Sequence, residues 1–147
     1  MHARAGALRA RYMAIPSPLT ATAFVFAGGG IGAVLRYQLG RFMTHVLGPN
    51  VVTAFPWATL AANVIGGLSM GLLAGWLARH GSHGETWRLF IGVGLLGGFT
   101  TFSSFSLETM LLIERGQAST AAIYAIVSVL AALTGLYIGL ITMRVAG

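Results

Sequence analysis

The chain has no cysteine and no lysine, and its only carboxylates are Glu85, Glu108 and Glu114. Without cysteine there is neither a disulfide framework nor a thiolate metal site. Charged residues make up 8% of the sequence, against about 25% in a soluble domain, which excludes a soluble domain of any size. The net charge is +6 and every basic residue is an arginine. These arginines are scattered at the ends of apolar runs and form no basic stripe, so nucleic acid is excluded as a partner.

Apolar residues and glycine fill the space that charge leaves. Hydrophobic residues account for 56% of the chain, and 21 of its 147 residues are glycine; the mean hydropathy is +0.79. The class is an all-α integral membrane protein, in which small residues let helix backbones approach closely. Four apolar runs are long enough to cross a ~30 Å hydrocarbon core at ~1.5 Å per residue. They span about 19–43, 57–77, 87–113 and 120–143. Turns are expected at Gly48-Pro49-Asn50, around Arg79 to Gly84, and at Glu114-Arg115-Gly116-Gln117. Residues 1–18 read as an arginine-bearing tail ahead of a membrane domain over 19–147. The first apolar run lacks a convincing cleavage site and reads as a retained helix, not a signal peptide.

Arginine placement gives an unusual topology. With the tail set aside, Arg79, Arg88 and Arg144 fall on one side, and Arg36, Arg41 and Arg115 on the other. That balance specifies no orientation under the positive-inside rule. A chain inserted both ways up can form an antiparallel homodimer with a two-fold axis in the membrane plane.

The third run is interrupted by Gly97-Gly98-Phe99-Thr100-Thr101 near its midpoint. Lipid offers no partner to a free backbone group, so a helix broken at mid-depth must line a cavity or bind an ion. Freed carbonyls there suit a small alkali cation, and the lack of a nearby carboxylate argues for Na⁺ over Ca²⁺ or Mg²⁺. The competing reading is a tight glycine-mediated helix crossing. Beyond the break, Phe102, Phe105 and Glu108 recur every three residues and share one face. Ring edges are electropositive and can meet an anion without trapping it; an intramembrane glutamate is functional by default. Thr59 and Asn63 face one way on the second run, as do Tyr124 and Ser128 on the fourth, with Ala132 ending that polar line. Asn63 brings amide donors, and the hydroxyls can pass an anion along. In the first run, Gly28 to Ala33 form a packing seam, and Arg36 either adds positive potential to a vestibule or snorkels.

Three motifs in order, Gly29-x-x-Gly32-Ala33-x-x-Arg36-Tyr37, Thr59-Leu60-x-x-Asn63-x-x-Gly66 and Gly97-Gly98-x-Thr100-Thr101-Phe102-Ser103-x-Phe105, resemble the Fluc fluoride channels, or CrcB proteins. The resemblance implies a dual-topology antiparallel homodimer in the inner membrane, with two fluoride pores that export fluoride passively. It implies a structural Na⁺ at the dimer centre on the main-chain carbonyls of Gly97 and Thr100. It assigns Phe102, Phe105 and Asn63 to the pore, Tyr124 and Ser128 to a polar track, Glu108 to the pore's flank and Arg36 to a vestibule; Thr101 joins them as a neutral donor. Family members often carry a second hydroxyl where this chain has Ala132.

Two other classes compete. A small dual-topology proton-coupled exporter needs a carboxylate in its first helix, and this first run has none. An intramembrane enzyme needs a nucleophile and base, or a metal. His80-x-x-His83 with Glu85 is the one cluster that approaches this, and it is weak.

Overall fold

The computed structural model describes residues 16–80 and 84–146. The expectations for the tail before residue 16 and for His83 lie outside these residues. Every described element is helical. The order is α1 (Pro18–Leu47), α2 (Pro49–Ala54), α3 (Trp57–His80), α4 (Glu85–Trp87), a π-helical stretch (Arg88–Leu96), α5 (Gly97–Phe99), α6 (Phe102–Glu114) and α7 (Ala118–Val145). Four spans are long and apolar enough to cross a membrane: Pro18–Leu47, Trp57–Arg79, Glu85–Glu114 and Ala118–Val145.

Local chemistry explains where these elements start and stop. Ser17 caps α1, its hydroxyl accepting from the Thr20 amide at 3.2 Å, with Pro18 in the first turn. Gly48 ends α1 at φ +85, a left-handed backbone that a side chain resists. The expected turn there is shorter than its sequence suggested. Pro49 and Asn50 already belong to α2, because proline's fixed φ suits a first helical turn. At the end of α6, Gly116 has φ +74. Its amide reaches the Ile113 carbonyl at 2.9 Å, and the Gln117 amide reaches Leu112 at 2.9 Å. This is a Schellman stop.

Glycine decides which helices touch. α1 packs on the π-helical stretch and α5, and α3 packs along α7. A Cβ on Gly28 would sit 2.3 Å from the Phe90 carbonyl oxygen, and one on Gly32 would sit 2.1 Å from that of Leu95. The obstacles are backbone atoms, so no side chain fits at Gly28 or Gly32. On the other side of the bundle, a Cβ on Gly71 would lie 2.1 Å from the Leu136 carbonyl oxygen, and one on Gly139 would lie 2.4 Å from that of Leu68. Of the packing seam expected over Gly28 to Ala33, Gly28, Gly29 and Gly32 make the close approach, while Gly30, Ile31 and Ala33 are exposed. The spans bury little of themselves within one chain, 11% to 22% of each, so most of their apolar surface needs lipid or another protein surface.

Candidate functional site

The site is built around two residues of extended backbone, Thr100 (φ −79, ψ 159) and Thr101 (φ −155, ψ 122), which separate α5 from α6. Within the expected stretch Gly97 to Thr101, Gly97 and Gly98 are helical and Thr100 and Thr101 are extended. Glycine's role here is close approach: a Cβ on Gly98 would lie 2.4 Å from the Gly29 carbonyl oxygen.

Asn63 of α3 holds the extended pair in place. The Thr101 amide donates to Asn63 Oδ1 at 3.0 Å, and Asn63 Nδ2 donates to the Thr101 carbonyl at 3.3 Å. The side chain thus replaces what the helix gives up. In an uninterrupted helix the Thr101 amide would go to the Gly97 carbonyl and the Ser104 amide to the Thr100 carbonyl. Here Asn63 takes the first amide, and the Thr101 hydroxyl takes the second at 3.2 Å as the N-cap of α6. The interruption releases the carbonyls of Gly97, Gly98, Phe99 and Thr100 alike from their i+4 amides, and Gly97 and Thr100, the two expected to offer carbonyls, are among them. Thr101 itself is buried, and its hydroxyl donates to Ser104 Oγ at 3.1 Å. That hydroxyl is committed to the cap and is not a free donor.

One turn and a half along α6, Glu108 joins three helices. The Thr59 hydroxyl donates to its Oε1 at 2.7 Å, and the fully buried Tyr124 hydroxyl donates to its Oε2 at 2.7 Å. Both distances are at the short, favourable end for O–H···O bonds. The Tyr124 ring stacks obliquely on Phe105 at 5.3 Å, and Phe105 lies 5.7 Å from Phe102. The three-residue spacing therefore does place Phe102, Phe105 and Glu108 along one line. Their environments differ: Phe105 packs on the buried cluster with Tyr124, whereas Phe102 is 80% exposed.

Ser128, one turn from Tyr124 on α7, is 4% exposed, and its Oγ has no hydrogen-bond partner among the described residues. An orphaned buried hydroxyl is uncommon and calls for a missing partner. It lines a groove of about 360 Å³ together with Asn63, Thr100, Thr101, Phe102 and Phe105, and Ala132 faces the same space. Arg36 stands apart, its Nη1 3.5 Å from Ser104 Oγ, in a separate cavity of about 750 Å³ that also holds Arg41 and His45. The sequence-predicted residues thus gather in one groove and its flank, with Arg36 in a neighbouring opening.

Two contributors were not among the expected site residues. Thr59 was read as sharing a face with Asn63, and that spacing is the signal that places it against Glu108. Phe55, edge-on to Tyr124 at 5.4 Å, follows the end of α2 and carries no periodic signal. Among the described residues no group of three His, Cys, Asp or Glu side chains is placed to hold a metal ion.

The family model described as CrcB-like protein, Camphor Resistance (CrcB), matches residues 23–140. This chain belongs to the CrcB family. The matched region contains Arg36, Asn63, the extended pair, both phenylalanines, Glu108, Tyr124 and Ser128. Among CrcB relatives, the fluoride-specific ion channel FluC of Novosphingobium aromaticivorans is 63% identical over 126 residues, covering 86% of this chain and 98% of its own length. The protein of the same name from Erythrobacter litoralis is 55% identical over 129 residues, covering 86% of this chain and 94% of its own. That from Sphingopyxis alaskensis is 52% identical over 120 residues, covering 82% and 92%.

Proposed function

We propose that this chain is a fluoride-specific channel, not an enzyme, that lets fluoride leave the cytoplasm passively across the inner membrane. The observation that carries the reading is Ser128. Ser128 lines a groove bordered by two phenylalanine rings and the Asn63 amide, and its buried hydroxyl has no hydrogen-bond partner among the described residues; such a lining, without a fixed positive charge, suits an anion. The names borne by the relatives point the same way.

Fluoride is small and tightly hydrated, so the route must replace water with donors of moderate strength. Ser128 Oγ–H, the second Nδ2–H of Asn63 and the edges of Phe102 and Phe105 are such donors. Several moderate sites in series allow both entry and exit. Glu108 accepts from Thr59 and Tyr124 and so fixes the wall against which Phe105 packs. Thr101 contributes by fixing the start of α6, and Arg36 by raising the potential of the opening beside it. Ala132 leaves the polar line one hydroxyl shorter.

The exposed Phe102 and the low burial of each span support a second copy covering the groove. Balanced arginines support an antiparallel partner and insertion in both orientations. The Gly97 and Thr100 carbonyls, relieved of their helical amides, are hard oxygen donors that fit a structural Na⁺. Such an ion would tie two copies together and favour anions nearby.

The test is fluoride efflux from liposomes containing only this protein, followed with a fluoride electrode and no proton gradient. Efflux well above that of protein-free vesicles is expected. A flux that appears only when a pH gradient is imposed would replace the channel with a proton-coupled exporter.

A further inference from the structure

We infer that Arg115, which no motif singled out, is an anion-gathering residue at the mouth of the route. The inference rests on the channel reading above and adds to it a residue that sets throughput. A cavity of about 220 Å³ is lined by Val52, Thr53, Pro56, Glu108, Leu111 and Arg115. Its floor is the carboxylate that Thr59 and Tyr124 hold on the flank of the groove. Its lip is the Arg115 guanidinium, pinned by an Nη1 hydrogen bond to the Thr53 carbonyl at 3.1 Å.

The pairing has a physical purpose. An anion that enters over the lip passes Arg115 and then nears the Glu108 carboxyl group, which offers it acceptor oxygens and no donor. A guanidinium on the same cavity offsets that lack. Arg115 is exposed and makes no salt bridge among the described residues. The backbone supports its position twice over. Arg115 is the C-cap of α6, its amide still bonded to the Leu111 carbonyl, and its guanidinium reaches the carbonyl of Thr53 on the short helix α2. The competing role is interaction with the carbonyl end of α6, which a cation there also favours. The two roles differ in their readout: a helix-end role changes stability, whereas an anion-gathering role changes flux at unchanged Tm.

A unit charge on the order of 10 Å from an ion in a water-like medium changes the local anion concentration about twofold. Screening removes this as the Debye length falls from ~30 Å at 0.01 M salt to ~3 Å at 1 M. The experiment measures fluoride efflux for wild type, Arg115→Gln, Arg115→Lys and Arg115→Glu in liposomes at both ionic strengths, on protein that elutes as wild type does. At low salt, Arg115→Gln is expected to lose roughly half the rate, Arg115→Glu more, and Arg115→Lys little; at 1 M salt all four should converge. Equal rates at low salt, or a loss that salt leaves unchanged, would overturn the inference. Absence of efflux from wild type itself would overturn the channel reading instead, so the two failures are distinct.

Discussion

Replacing Asn63 with alanine removes two hydrogen bonds at once, both to one residue of extended backbone at the depth where water is scarce. The Thr101 amide loses Oδ1 at 3.0 Å, and the Thr101 carbonyl loses Nδ2 at 3.3 Å. Thr101 is buried, so its amide has no solvent to turn to. Leaving a buried polar group unsatisfied costs about 1–3 kcal/mol, and the second, longer bond contributes about 0.5–1.5 kcal/mol. A loss of roughly 2–4 kcal/mol corresponds to a drop in Tm of about 4–16 °C for a domain of this size. The assay is thermal unfolding in detergent, followed by size-exclusion chromatography, beside fluoride efflux in liposomes. Asn63→Asp separates the two bonds: it keeps an acceptor for the amide but sets a carboxylate oxygen against the Thr101 carbonyl. It should therefore be at least as disruptive as alanine. An Asn63→Ala protein that melts within 1–2 °C of wild type would refute the clamp. The amide would then serve the route alone.

The glycine seams give a sharper structural contrast. Gly32→Ala places a methyl 2.1 Å from a backbone oxygen, whereas a methyl on Gly40 or Gly30 meets nothing within 4 Å. Gly32→Ala should abolish the folded elution peak, while Gly40→Ala should match wild type or gain up to about 1 kcal/mol from helix propensity; equal behaviour would remove the close-approach argument. Phe102→Ile and Phe105→Ile should each cut fluoride efflux at least tenfold. Only Phe105→Ile should also lower Tm, by a few degrees, because it packs on Tyr124 while Phe102 is exposed; undiminished efflux would take the rings out of the route. Tags on the termini should be accessible from both sides of the membrane, and labelling from one side only would exclude the antiparallel pair. Glu108→Gln sets an amide NH2 where either the Thr59 or the Tyr124 hydroxyl donates, so one of the two bonds must reverse or break; a loss of about 1–2 kcal/mol is expected, read as a smaller Tm change than that of Asn63→Ala.

Hydropathy alone determined the four spans, because crossing lipid demands a run of apolar residues whatever the rest of the protein does. Helix spacing determined which side chains share a face: Thr59 with Asn63, Phe102 with Phe105 and Glu108, Tyr124 with Ser128. These are local quantities, set by the 3.6-residue turn. Tertiary structure decided which of those faces meet. That Asn63 spends its amide on the backbone of Thr101, that Thr59 and Tyr124 share one carboxylate, and that Thr101 is a cap and not a free donor follow from the distances between α3, α6 and α7. The closeness of α3 to α7 is set by glycines such as Gly71 and Gly139, whose Cβ would strike a neighbouring backbone. Sequence named the glycines, but not the carbonyls they make room for. It located the interruption within Gly97 to Thr101, with Thr100 near the midpoint of the run. The bundle placed it at Thr100 and Thr101, where a side chain on another helix was waiting to satisfy the amide that the helix releases.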